Sequence, residues 1–120
     1  MDSTPLTEEE RALLSARADA FHAALARGDG GDWNHYVAEL PEHFRRIMLS
    51  ELAIIDLVER WKNGETPLVE DYVARFPELG PVEEVPRALI VEECRCRARA
   101  GEQPSLDSYR SRFPRQFADI

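Results

Sequence analysis

Histidines and cysteines are few in this 120-residue chain, and their spacing limits what they can do together. The three histidines, His22, His35 and His43, do not form a recognisable triad with a nucleophile and a carboxylate. Cys94 and Cys96 are separated by one residue. On a helix, side chains two apart point to different faces, so this pair is not placed to form a disulfide or share a metal. A lone C-x-C also lacks the second ligand pair of a zinc site. Cys94 is expected in the core and Cys96 as a free thiol, in keeping with a reducing compartment. No phosphate-cradling G-x-x-x-x-G-K-[ST] or G-x-G-x-x-G is present, nor an H-E-x-x-H zinc helix. The H-R-D and D-F-G motifs of a kinase domain are missing as well. Glu8-Glu9-Glu10 suits the positive end of a helix dipole better than acid–base work. The expectation is therefore a chain that is not an enzyme, with no catalytic, cofactor-binding or metal-binding residues of its own and no cofactor.

The remaining polar chemistry lies in the arginines. From Arg87 onward seven arginines face five acids, a net of +2, while the preceding residues carry −10 and the whole chain −8. A polyanion is repelled by such a chain overall, which excludes nucleic acid as the expected partner. Arg95 and Arg99 are four apart and share one helical face, with Arg97 off that face and able to pair back to Glu93. Arg110 and Arg112 follow on the next segment and can extend the same basic patch. Arg75 occupies the position matching Arg112. One reading makes Arg75 and Arg112 dipole complements at helix C-termini. The other keeps them exposed to bind an acidic or phosphorylated partner. Arg95, Arg99, Arg110, Arg112 and Arg75 are thus the candidate partner-binding residues, for a protein or for the acidic part of a second copy.

The elements that must position these residues are repeated. Gly64-Glu-Thr-Pro-Leu-Val-Glu-Asp-Tyr-Val-Ala-Arg-Phe-Pro77 aligns without gaps on Gly101-Glu-Gln-Pro-Ser-Leu-Asp-Ser-Tyr-Arg-Ser-Arg-Phe-Pro114, with seven of fourteen positions identical. Chance supplies roughly one identity at average residue usage. A degenerate copy, Gly28 to Pro41, keeps Gly28, Tyr36 and Pro41, and the copies are offset by 36 and 37 residues. Before each glycine stand apolar residues at i, i+3 and i+7: Ala18, Phe21, Leu25; Ile54, Leu57, Trp61; Val91, Cys94, Ala98. That spacing is one face of a helix.

Each unit therefore reads as a long helix, a glycine stop with positive φ, a short helix, and a proline that opens the next helix. The short segments carry their own stripes: Trp33, Tyr36, Leu40; Val69, Tyr72, Phe76; Leu106, Tyr109, Phe113. Thr7 to Glu10 forms a capping-box pattern. Asp32 and Ser105 suit N-caps, with Thr66 the candidate in the middle unit. The long segment His43–Asn63 is apolar on more than one face and should be central, with Trp61 in the core. Residues 78–86, rich in proline and glycine, read as a loop. The expected fold is all-α, a small helical bundle in one domain over 1–120. Its units are about 7–41, 42–77 and 86–114, followed by a tail at 115–120.

Hydrophobic residues at 43% suffice for one modest core, and charged residues at 32% suit a soluble surface. No apolar run approaches the ~20 residues that span a bilayer, and the polar start has no secretory h-region. A cytoplasmic protein with no membrane partner is expected.

Several of these segments carry a family resemblance. Tyr36-Val-Ala-Glu-Leu-Pro-Glu, Arg46-Ile-Met-Leu-Ser-Glu-Leu52, Ile55-Asp-Leu-Val-Glu-Arg60, Gly64-Glu-x-Pro and Asp71-Tyr-x-x-Arg-Phe-Pro77-Glu form one ordered set. Glu92-Glu-x-Arg95, Gly101-Glu-x-Pro104 and Arg112-Phe-Pro114 look like its second round. Together they resemble a segment N-terminal to the catalytic domain in many serine/threonine protein kinases of planctomycete-type bacteria, over roughly Phe21 to Pro114. The resemblance implies a parent protein whose ATP-dependent activity lies in a kinase domain after Pro114, so ATP would be a partner only through that domain. No catalytic residue carries over to this chain. Two expectations follow: a regulatory or protein-interaction module of a signalling kinase, or a stand-alone structural or oligomerisation domain.

Overall fold

Thr7 starts the first helix. Its Oγ1 accepts from the Glu10 backbone N–H at 3.0 Å while the Glu10 carboxylate accepts from the Thr7 N–H, so the capping box closes. The computed structural model describes residues 6–28 and 32–118. Met1–Pro5, Asp29, Gly30 and Gly31 of the degenerate first copy, and residues 119–120 of the tail lie outside the described residues. Six α-helices follow in order: α1 Glu8–Ala26, α2 Asn34–Val37, α3 Glu42–Lys62, α4 Val69–Arg75, α5 Arg87–Arg99 and α6 Leu106–Arg112. No strand occurs among the described residues. The protein is all-α, and the helices alternate long and short along the chain.

α3 is central. α1 and α5 both pack on it, and no residue of it from Phe44 to Arg60 is fully exposed. Phe44, Met48, Leu52, Ala53 and Leu57 are enclosed completely, at the spacing of one broad helical face. Gly28, Gly64 and Gly101 hold φ of +83°, +88° and +92°. At two of these, the Glu65 and Glu102 N–H groups donate to the Arg60 and Arg97 carbonyls at 2.9 and 3.0 Å. With Gly64 N–H to Trp61 O and Gly101 N–H to Ala98 O, each forms the paired C-terminal bonds of a Schellman stop.

Several expectations are corrected. Thr66 does not cap α4: the Asp71 carboxylate takes the Leu68 N–H at 2.8 Å instead. Pro41 opens α3 as expected, but Pro77 opens a 3-10 turn, Pro77–Leu79, and α5 begins after Pro86. The segment 78–86 is a connection between helices, as expected of a loop, and it is packed against the core. It holds a second 3-10 turn, Val82–Glu84, and buries Leu79 and Val85. Arg46 donates to the Leu79 and Glu84 carbonyls, and Gln116 to those of Val82 and Val85.

The two cysteines exchange places: Cys96 is buried and Cys94 only partly so. α5 turns Leu89, Glu93 and Cys96 inward, whereas Val91, Cys94 and Ala98 form its outer edge. Burial pushes the Cys96 thiol above its ordinary value.

Trp61 is likewise half-buried rather than core. Its indole N–H donates to the Pro67 carbonyl at 2.9 Å, tying α3 to the turn before α4. Trp61→Ala is therefore expected to cost about 1–3 kcal/mol, below the 3–5 kcal/mol of a fully enclosed tryptophan. Denaturant melts of the variant check this.

Candidate functional site

Two acid–tyrosine–arginine sets, 37 residues apart, hold each short helix to its long one. In the first, Asp56 is buried on α3 and its Oδ2 accepts from the Tyr72 hydroxyl and the Arg60 Nε, both at 2.7 Å. In the second, Glu93 on α5 is completely enclosed; its Oε2 accepts from the Tyr109 hydroxyl at 2.6 Å, and Arg97 Nη1 stands 3.8 Å away. The flanking ion pairs match too. Arg60 reaches Glu65 at 2.7 Å and Arg97 reaches Glu102 at 2.8 Å, which gives the acids after Gly64 and Gly101 their structural use.

Arg112 distinguishes the second set. Its Nη1 and Nη2 donate to both Glu93 oxygens at 2.6 and 2.8 Å, and its Nε to Glu70 at 2.9 Å. The Val69 backbone N–H completes the Glu93 shell at 2.9 Å. Four bonds thus fill the four lone-pair sites of that carboxylate. Burial acts to raise the Glu93 pKa, but the Arg112, Tyr109 and Val69 donors outweigh it and hold the carboxyl below its usual range. Burial first, and then Glu93, pushes the Tyr109 hydroxyl up to about 12. Burial and the Asp56 hydrogen bond raise Tyr72 likewise. At neutral pH Glu93 is ionised and Tyr109 protonated, and each is engaged with the other, an arrangement that fixes helices.

The first unit lacks this set. Ala20 and Ala24 stand where Asp56 and Arg60 align, and Glu39, with φ of +66°, stands where Arg75 and Arg112 align. Arg17 substitutes from α1 by donating to the Tyr36 carbonyl at 2.7 Å.

The five candidate arginines separate. Arg95 and Arg99 share a solvent-facing edge of α5 and bracket one acid, Glu92, at 3.2 and 3.3 Å. Arg110 is exposed on α6, 3.9 Å from Asp107. Arg112 leaves that patch for Glu93 and Glu70. Arg75 is exposed with its guanidinium 5.5 Å from the Trp33 ring centre and 4.9 Å from that of Phe76. Arg112 covers Tyr109 and Phe113 in the matching way, at 5.1 and 4.8 Å.

Beside Arg95 runs an apolar groove of about 380 Å³ between α5 and α6. Val91, Cys94, Ala98, Leu106 and Phe117 line it. Leu106 is 49% exposed. Elsewhere His22 and His43 lie near single acids, Glu59 at 3.4 Å and Glu10 at 3.7 Å, and His35 packs edge-on against Tyr36. Among the described residues no three His, Cys, Asp or Glu side chains are grouped to hold a metal, and no helix is long and apolar enough to cross a membrane.

Apolar columns alone could not reveal the buried acids. The signal was present one column over, where Asp56 and Arg60 align with Glu93 and Arg97 at the same 37-residue offset. No protein-family model matches this chain, and no curated protein or solved structure shows significant similarity to it.

Proposed function

We propose that this chain is a non-catalytic protein-interaction module that docks a helical partner, and that it serves as a regulatory segment before a serine/threonine kinase domain. The observation that carries the reading is the open groove between α5 and α6, apolar along its floor and rimmed by Arg95. An apolar groove with a charged side chain at its rim is a form that an amphipathic helix can lay its apolar face into. The buried acids support the same reading, since their hydrogen bonds go to neighbouring helices. The repeated Gly-Glu-x-Pro and Tyr-x-x-Arg-Phe-Pro segments support the placement before a kinase.

The test is affinity capture from a cell lysate by the wild-type chain and by Leu106→Glu, with circular dichroism showing that both fold. Glutamate at the first position of α6 is compatible with the helix dipole, so the variant tests the groove itself. Capture lost in the variant supports the reading, and equal capture overturns it. Titration with MgATP should give no heat, because the chain carries no phosphate cradle; saturable binding would contradict a non-catalytic role.

A further inference from the structure

The packing between the second and third units provides a template for what fills the groove. Val69, at the start of α4, is fully enclosed because α5 stacks beside it and Glu93 accepts its N–H. Leu106 stands at the matching position 37 residues on, and it is half-exposed. Leu57 and Cys94 show the same contrast, buried in one unit and partly open in the next. The α5–α6 face thus corresponds to the α3–α4 face, without a further helix laid on it.

The face that does the stacking also has an uncovered counterpart. α5 buries Leu89, Glu93 and Cys96 against the preceding unit. The same columns on α1, at offsets of 37 and then 36 residues, are Ala16, Ala20 and Ala23, and all three are exposed. Leu13, one turn earlier on that face, is 37% exposed. The charges are complementary: Arg95 borders the groove, while Glu9 and Asp19 are exposed on α1, the helix that carries the alanines.

We infer that the occupant of the α5–α6 groove is the outer face of α1 from a second copy of this chain. Leu13 and the alanines lie against Leu106 and Cys94, and the α1 acids face Arg95. The contact joins two different surfaces, so it is heterologous: a pair of copies keeps one free groove and one free α1, and the assembly grows or closes into a ring. Opposite charge steers the association and makes it sensitive to salt. This inference rests on the interaction reading of the same groove but commits to one partner.

The experiment is sedimentation velocity on the full chain across concentration, with Leu106→Glu and Ala20→Glu measured separately and then mixed. Wild type should form species beyond the dimer that recede as salt rises. Each variant alone should associate at least about ten-fold more weakly, a difference of about 1.4 kcal/mol. The mixture should recover a dimer and stop there, because the Ala20→Glu chain keeps an intact groove and the Leu106→Glu chain an intact α1. A wild type that stays monomeric at all concentrations overturns the inference, as does association that neither variant weakens or a mixture that forms no dimer. If wild type is monomeric while lysate capture still depends on Leu106, the interaction module stands and only the second copy is excluded.

Discussion

Arg112→Ala is expected to lower the stability of the protein by about 3–5 kcal/mol, the range for removing one partner of a buried ion pair. The loss comes less from the missing attraction than from what remains: the Glu93 carboxylate, completely enclosed and stripped of its bidentate donor, beside a single more distant guanidinium. A domain has only about 5–15 kcal/mol in total, so the variant should unfold at markedly lower denaturant. Replacing the whole set, Glu93→Leu with Arg112→Met and Tyr109→Phe, should cost far less than Arg112→Ala alone, because no buried charge is then left unpaired. Urea melts of the single and triple variants decide the matter; a triple variant weaker than the single would show that the hydrogen bonds themselves stabilise the fold.

The same set makes a prediction about acid. The folded pKa of Glu93 lies below its unfolded value of about 4.3. Its contribution is therefore fully present above that unfolded value and is lost as the pH falls through the lower, folded one. Glu93→Gln should destabilise the protein strongly at pH 7 and progressively less below about pH 4, as the wild-type carboxyl protonates. Melts of both proteins along a pH series should converge at the acid end, and a gap that stays constant would contradict the ionised assignment.

The second large effect is expected at Phe113. The ring is fully enclosed and stacks on Tyr109 at 6.2 Å between centres, beneath the Arg112 guanidinium. Phe113→Ala should cost about 3–5 kcal/mol. Phe76 is its repeat counterpart, yet it is only partly buried and lies with one face on Trp33 at 4.2 Å. Phe76→Ala should cost less, about 1–3 kcal/mol, since water already reaches part of that ring. Equal losses in paired thermal melts would mean that the repeat position, rather than the surroundings, sets the contribution.

The contrast between Phe76 and Phe113 shows where sequence reasoning succeeds and where it stops. Helical spacing, the Thr7 and Ser105 caps and the positive-φ glycines are properties of a few consecutive residues, governed by bonds between positions three to five apart. Those features were legible, and α3 fell within one residue of its expected bounds, 42–62 against 43–63. The tertiary structure decided which face of each helix was enclosed, because that depends on whether another helix lies beside it. Cys94 and Leu57 share a column, yet Leu57 is covered by its neighbours and Cys94 borders the groove. Glu93 reads as a solvent acid in an arginine-rich helix until Tyr109, Arg112 and the Val69 N–H arrive from residues 16 to 24 positions away. An isolated carboxylate cannot be buried without such donors, and only the folded chain brings them together.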